Sequence, residues 1–285
     1  MVCYNASHST AHASCTLGNN MIGGLIHSLT QHLARKKRGT KLFEYLHYLS
    51  LEGLNVGNSR PASENGEQHL IQMLSKQFAT IDSPVVFDVG ANRGDYSQLV
   101  LNFMPNCKLY AFEPIPELNT QLKQRFELAA NMQIHPLLVS NQVGQQAFFQ
   151  RHDQNALSSV YNRYHNNEPT KQSVITVNTI IIDAFCSANK IREIHFLKID
   201  AEGHDLFVLQ GAKEMLAAKK IHHIQFEFGG SNIDSRTYMR DFFELLSDDF
   251  QISRVMEDGL APLNNYHESL EIFSAANYYA QLKDT

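Results

Sequence analysis

From Glu67 onward the chain alternates between stretches whose apolar residues recur every third or fourth position and short unbroken apolar runs. The first pattern predicts amphipathic helices and the second predicts strands buried on both faces. Leu70, Ile71, Leu74 and Phe78 predict a helix ending before Pro84, and Val85 to Val89 a strand. Tyr96, Leu99, Val100 and Phe103 predict the next helix, Lys108 to Phe112 a second strand, and Leu118, Leu122 and Phe126 a further helix. The same reading gives strands at Ile134 to Val139, Val174 to Val177, His195 to Ile199, Ile221 to Phe228, Phe250 to Val255 and Leu270 to Ser274. Helices are expected at Thr179 to Phe185, through Leu206, Val208, Leu209 and Met215, and through Tyr238, Phe242, Phe243, Leu245 and Leu246. Such alternation predicts an α/β fold with a mostly parallel sheet.

Ahead of this lie Ile22, Leu25, Ile26, Leu29 and Leu33, then Leu42, Phe43, Leu46 and Leu49, a pattern for two helices broken at Gly39-Thr40. The expected organisation is a disordered segment 1–20, a helical extension or cap 21–80, and an α/β domain 81–285.

The candidate chemistry starts at VVFDVGANRGDYS, residues 85–97. Strand, glycine turn and helix form the first βα unit of a nucleotide-binding sheet, with the ligand at the strand's carboxyl end. Gly90 and Gly94 are expected to let backbone approach that ligand, and Asp95 to cap the helix. The spacing Gly-x-x-x-Gly departs from the dinucleotide pattern Gly-x-Gly-x-x-Gly. Asp88 would repel a phosphate dianion and suits a cationic or hydroxyl-bearing ligand. Glu113, at the tip of the second strand and followed by Pro114, is placed to accept hydrogen bonds from a ribose diol.

The segments FDVGANRGDYS, YAFEPIPE, FLKIDAEGHDLFVLQGA and IQFEF, in that order, resemble the FkbM-type family of S-adenosylmethionine-dependent methyltransferases over about residues 57 to 275. The pairing of DVGANRGDYS with KIDAEGHDL is the most specific part. The resemblance implies a Rossmann-like class I methyltransferase fold, a seven-stranded mostly parallel sheet of order 3-2-1-4-5-7-6 with strand 7 antiparallel. It also implies S-adenosylmethionine as cofactor and, in many members, O-methylation of a sugar or another hydroxyl. The expected cofactor set is Asp88, Gly90, Asn92, Gly94, Tyr96, Glu113, Pro114 and Ser140, the last beside the adenine in this fold. The helix led by Gly66-Glu67 would contribute to the rim of the site.

Asp88, Asp200, Glu202, His204 and Glu227 all follow or end strands whose carboxyl ends share one crevice in such a sheet. An alcohol's pKa lies near that of water, about 15.7, and a positioned base contributes roughly 10²–10⁴-fold to its methylation. His204, in the first turn of a helix whose dipole disfavours the imidazolium, is one candidate base; Asp200 is another, with Glu202 beside it. Asp200, Glu202 and Glu227 are alternatively a Mg²⁺ ligand set, not expected to be essential while a histidine base is available. Lys198 is expected to point to the opposite sheet face with its stem under a helix. The polar stretch 151–173 is long for a loop in a compact domain and so is expected to be functional. Its Ser158, Ser159, Tyr161, Arg163, Tyr164 and His165, with Glu227, suit a sugar acceptor.

Composition narrows the partners. A net charge of −5 and a pI near 6.3 argue against a nucleic-acid surface. Cys3, Cys15, Cys107 and Cys186 form no CxxC pair, which points to a reduced, cytoplasmic protein; Cys3, His8, His12 and Cys15 fit no common zinc spacing. There is no signal-peptide pattern and no membrane-spanning run. The Arg35-Lys36-Lys37-Arg38 cluster beside an apolar helix allows weak peripheral contact with anionic lipid, and the same helices suit a homo-oligomer contact. Two other readings stay open. A nicotinamide-dependent oxidoreductase lacks its glycine pattern. A methyltransferase-fold scaffold without activity is opposed by the acids at 88, 113 and 200.

Overall fold

The structure, a computed structural model, describes residues 30–57, 60–152, 157–162 and 172–284. The chain divides into two compact units, Met1–Leu51 and Glu52–Thr285. The segment 1–20, Tyr164 and His165 lie outside the described residues, as does Arg163. In the first unit a 3₁₀ turn, Lys37–Gly39, leads into α1, Thr40–Gly53. A Cβ on Gly39, the last residue of that turn, would overlap the Leu33 carbonyl.

The second unit is built from α2 (Glu67–Gln77), β1 (Val85–Val89), α3 (Asp95–Phe103), β2 (Lys108–Phe112), α4 (Pro116–Arg125) and β3 (Met132–His135). Next come β4 (Leu138–Val139), β5 (Gly144–Arg151), β6 (Gln172–Ile180), α5 (Ile182–Asn189), β7 (Ile194–Ile199), α6 (Asp205–Gln210) and α7 (Lys213–Ala217). The chain ends with β8 (Ile221–Phe228), α8 (Ser231–Ser235), α9 (Met239–Leu246), β9 (Phe250–Met256), β10 (Gly259–Leu263) and β11 (Ala276–Leu282).

The main sheet runs β10-β9-β11-β8-β7-β1-β2-β3. From β3 to β8 neighbouring strands are parallel, and β11 is antiparallel to both β8 and β9. This is the expected class I methyltransferase order with one correction, eight strands in place of seven. The added strand closes a hairpin through Glu257-Asp258, and it carries Pro262, which an edge strand tolerates because it need not donate there. The strand expected at Leu270 to Ser274 is β11 instead. Glu271 accepts from the Met239 and Arg240 amides at the start of α9, which engages that segment away from the sheet. Tyr278, Tyr279 and Ala280 are buried between β8 and β9.

The third expected strand splits at Pro136, which has no amide proton to give to a ladder. Its first half is β3, and its second, β4, joins a separate three-stranded sheet, β4-β6-β5. β6 runs to Ile180, so the helix expected from Thr179 starts at Ile182. On one face of the main sheet Val86, Leu109 and Phe196 pack against Leu70, Ile71 and Leu74 of α2 and Tyr96 and Val100 of α3. On the other, Phe185 meets Phe87 edge-on at 5.7 Å and Phe112 at 4.9 Å between ring centres.

Along the α2/α3 face a row of polar side chains crosses three strands. Asp88 on β1 lies in register with Lys198 on β7, and Lys198 with Gln225 on β8. Successive strand residues alternate faces, so Phe87 and Leu197 take the other side. All three polar residues are buried.

Candidate active site

β1, β2, β7 and β8 end at the same edge of the sheet, and the turns that follow them meet there. After β1 the chain turns through left-handed Gly90 (φ +81°) and Asn92 (φ +48°). A Cβ on Gly90 would overlap the carbonyl oxygen of Asp200, and one on Gly94 (φ +84°) would meet Leu122 and Phe126. Both glycines therefore answer to close packing of the chain on itself, where approach of a ligand was expected. Gly90 still borders the cavities described below, and Gly94 borders neither. Asp95 is the first residue of α3 and pairs with Arg125 at 2.6 Å, so it does not cap the helix.

Glu113 ties the tip of β2 to this turn. Its Oε2 accepts from the Asn92 amide at 2.9 Å and its Oε1 from the Ile115 amide at 2.8 Å. Burial pushes its carboxyl up to about 7, with the two amides pulling the other way. Each carboxylate oxygen keeps a second lone pair for a ligand hydroxyl.

Past β7 the turn Asp200–His204 is held from below by Asp205. Its carboxylate accepts from the Ala201 amide and, at the end of β8, from the Glu227 amide, each at 3.1 Å. Burial, and then the nearby Asp200 charge, raise the Asp205 carboxyl to about 7. Carboxylate oxygens of Asp200, Glu202 and Glu227 lie within 4.8 Å of one another. Burial, reinforced by Asp200, Glu202 and Asp205, holds the Glu227 carboxyl well above the ordinary range.

Lys198 corrects an expectation. Its side chain shares a face with Asp88 and reaches forward to the strand tip, with Nζ 3.4 Å from Asp88 Oδ1 and 3.4 Å from Asp200 Oδ2. It also lies 5.0 Å from the centre of the Tyr96 ring. Burial alone would lower its pKa, and Asp200, Asp88 and Glu67 outweigh that and raise it, so it stays an ammonium. Around it Ser97 donates to Asp88 at 2.6 Å, Tyr96 to Gln225 at 2.5 Å, and Gln225 to Glu67 at 2.8 Å. Asp88 is fully buried and borders neither of the two cavities described below.

Two cavities open on these turns and share Gly90, Asn92 and Asp200. The first is walled by Glu113, Pro114, Leu138, Phe148, Ser158 and Glu202. The second is walled by Glu67, Arg93, Tyr96, His152, Leu157 and Lys198. Asn92 Oδ1 is buried with no hydrogen-bond partner among the described residues, an acceptor left for a ligand donor. Lys198 and Gln225 are the residues that reading the sequence missed as parts of the site, while Glu67 lines the second cavity on the helix expected at its rim. The period-2 spacing of Lys198 to Asp200, which puts both on one face, was the signal available for the first.

The remaining expected residues sit apart from the cavities or are already engaged. Ser140 is buried, with its hydroxyl 2.9 Å from His204 Nε2, behind the wall formed by Leu137, Leu138 and Val139. His204 borders neither cavity, and its Nδ1 is 3.0 Å from the Tyr161 hydroxyl. Ser159 is buried and donates to the Glu202 carbonyl at 2.8 Å. Ser158 accepts from the Arg151 amide at 2.9 Å.

The description "Methyltransferase FkbM domain" matches residues 88–255, a span running from the buried acid of β1 to the penultimate residue of β9. The chain belongs to the FkbM methyltransferase family. Within it, the chain is 25% identical over 156 residues to the 2-O-methyltransferase NoeI of Sinorhizobium fredii, covering 50% of this chain and 63% of that protein. It is 25% identical over 166 residues to the hexuronic acid methyltransferase AglP of Haloferax volcanii, covering 58% and 64%. The chain thus spans just under two thirds of either relative. Among solved structures, an O-methyltransferase from Bacillus cereus aligns with a TM-score of 0.40 at 12% identity, covering 91% of this chain and 97% of that one.

In this FkbM-family chain, removing the Lys198 ammonium leaves the fully buried Asp88 charge unpaired. Lys198→Met should cost about 3–5 kcal/mol of stability, read from urea unfolding. A variant within 1 kcal/mol of wild type, roughly the worth of a surface pair, would show that the lysine does not neutralise Asp88.

Proposed function

We propose that this chain transfers the methyl group of S-adenosylmethionine to a hydroxyl of a sugar or glycan. The observation that carries the reading is a single cavity system with Glu113 on one side and Asp200 on the other, joined across Gly90 and Asn92. The residues fit the cofactor. Glu113 offers free lone pairs to a ribose diol, Leu138 and Phe148 offer apolar walls to a base, and the orphaned Asn92 oxygen offers an acceptor. The names of NoeI and AglP support a sugar acceptor. The thiols of Cys107 and Cys186 are free and buried, which suits the reducing cytoplasm.

The cofactor supplies an electrophilic methyl on a cationic sulfur. The acceptor oxygen forms a C–O bond as the C–S bond breaks, S-adenosylhomocysteine leaves, and the hydroxyl proton must go to a base. Asp200 takes that role, because its carboxylate stands where the two cavities meet while the His204 ring borders neither. Lys198, Glu67 and Gln225 hold Asp200 and Tyr96 in place from beneath, and alignment of the reacting atoms supplies much of the acceleration. The turn bearing Ser158, Ser159 and Tyr161, with Glu227, forms the acceptor side.

A second reading has its own observation, the convergence of Asp200, Glu202 and Glu227. Three carboxylates so placed suit a hard divalent cation such as Mg²⁺, which would lower the hydroxyl's pKa directly. Under the leading reading EDTA leaves turnover intact. Loss on chelation with recovery in Mg²⁺ would replace it.

Two outcomes test the assignments. Glu113→Ala should weaken S-adenosylhomocysteine binding by about 1.5–3 kcal/mol, roughly 10- to 150-fold. In the wild type the ionised carboxylate is the acceptor, so affinity falls as pH drops through the Glu113 pKa of about 7. Calorimetry should find binding roughly tenfold weaker at pH 6 than at pH 8, and no such slope in the variant; a pH-independent wild-type affinity would remove Glu113 from the cofactor site. Asp200→Asn should lower kcat roughly 10²–10⁴-fold and leave cofactor affinity within a few-fold. Equal losses in both would make Asp200 a cofactor ligand.

A further inference from the structure

His204 looks in the sequence like a base, and its surroundings assign it different work. The ring is 3% exposed and stacks on Phe207 with centroids 4.8 Å apart and planes 13° apart. Both nitrogens are engaged, Nε2 with Ser140 Oγ at 2.9 Å and Nδ1 with the Tyr161 hydroxyl at 3.0 Å. The Ser140 hydroxyl has Asn141 Oδ1 within 3.5 Å to receive its proton. The network therefore runs one way: Tyr161 donates to Nδ1, and Nε2–H donates to Ser140. A ring with one donor and one acceptor fits this path. Relay of a proton from Tyr161 is closed as well, since burial raises the phenol above its ordinary value while lowering the imidazole.

We infer that His204 is a positioning residue, a strut joining the turn that carries Tyr161 to the end of β4 at Ser140, and so setting that turn against Asp200 and Glu202. The inference rests on the acceptor-side role given to this turn under the proposed function. Ser159 forms the parallel tie, its hydroxyl donating to the Glu202 carbonyl at 2.8 Å. Between them the two ties fix both ends of a short segment. Ser159 is held to Glu202, two residues past the base, and Tyr161 is held to the N-cap of α6. The acceptor's fit then depends on His204 although His204 touches neither acceptor nor cofactor.

His204→Phe keeps the stacking on Phe207 and removes both hydrogen bonds, and Tyr161→Phe removes one end of the strut. With methyl hexosides as acceptors, each variant should raise the acceptor KM about 3- to 10-fold, with kcat and S-adenosylhomocysteine affinity near wild type. The double variant should be no worse than the poorer single, because both substitutions break one connection. A kcat lowered roughly 10²-fold or more in His204→Phe with KM unchanged, or full additivity in the double variant, would overturn the strut. A readout independent of turnover covers a variant that fails to fold or a wild type inactive on hexosides. In ¹⁵N spectra of the wild type the His204 ring should be the Nε2–H tautomer, and Tyr161→Phe should shift its Nδ1 signal. A ring in the Nδ1–H tautomer, or one whose signals ignore Tyr161→Phe, would contradict the inference. Absence of hexoside methylation beside the expected spectra would instead count against the acceptor assignment.

Discussion

Lys198 Nζ is sealed beneath the glycine turn, and its charge is balanced by Asp88 below and Asp200 ahead. An ammonium removed from water costs several kcal/mol unless partners compensate, so this contact dictates much around it. Asp88 can be fully buried only because Lys198 is in register with it on the next strand. Asp200 is drawn to the strand tip by the same charge. α2 and α3 must then bring polar atoms to the sheet, which they do through Glu67, Tyr96 and Ser97. The core face of this sheet is apolar at Val86 and Phe196 and becomes a hydrogen-bonded network one residue pair later. That is how an apolar sheet delivers charged groups to its edge without leaving them uncompensated.

The same edge shows why the turn after β1 has its sequence. Gly90 brings the β1 turn against the Asp200 carbonyl, and Glu113 clamps the turn from the other side through the Asn92 amide. Three strand ends are thereby held at fixed separation by backbone contacts and one carboxylate. A cofactor lying across them would meet groups already in place, and preorganisation of this kind lowers the ordering cost of binding.

Much of this was legible beforehand. The runs at Val85–Val89, Lys108–Phe112 and His195–Ile199 are apolar apart from Asp88, Lys108, His195 and Lys198, enough for strand identity to follow directly, and the acids at their ends follow with them. The convergence of Asp200, Glu202 and Glu227 was also readable, because parallel strands bring their carboxyl ends together. What escaped depends on partners distant in the chain. Lys198 looks like a stem packed under a helix until register sets Asp88 beside it. His204 looks like a base until Ser140 and Tyr161 are found on its two nitrogens. β11 lacks a clean alternation because its tyrosines are buried on both faces, and β10 is a proline-bearing edge strand. Pro136, by contrast, was a visible warning that the third strand divides.

The central claim is that Glu113 and Asp200 face one bound cofactor from opposite sides, with Lys198 holding the second acid in position. A crystal structure with S-adenosylhomocysteine tests it most directly. The account requires the ribose diol on the Glu113 carboxylate, the adenine between Leu138 and Phe148, and the sulfur turned toward Asp200 where the two cavities join. A ligand whose ribose makes no contact with Glu113, or whose sulfur faces away from Asp200, would contradict it.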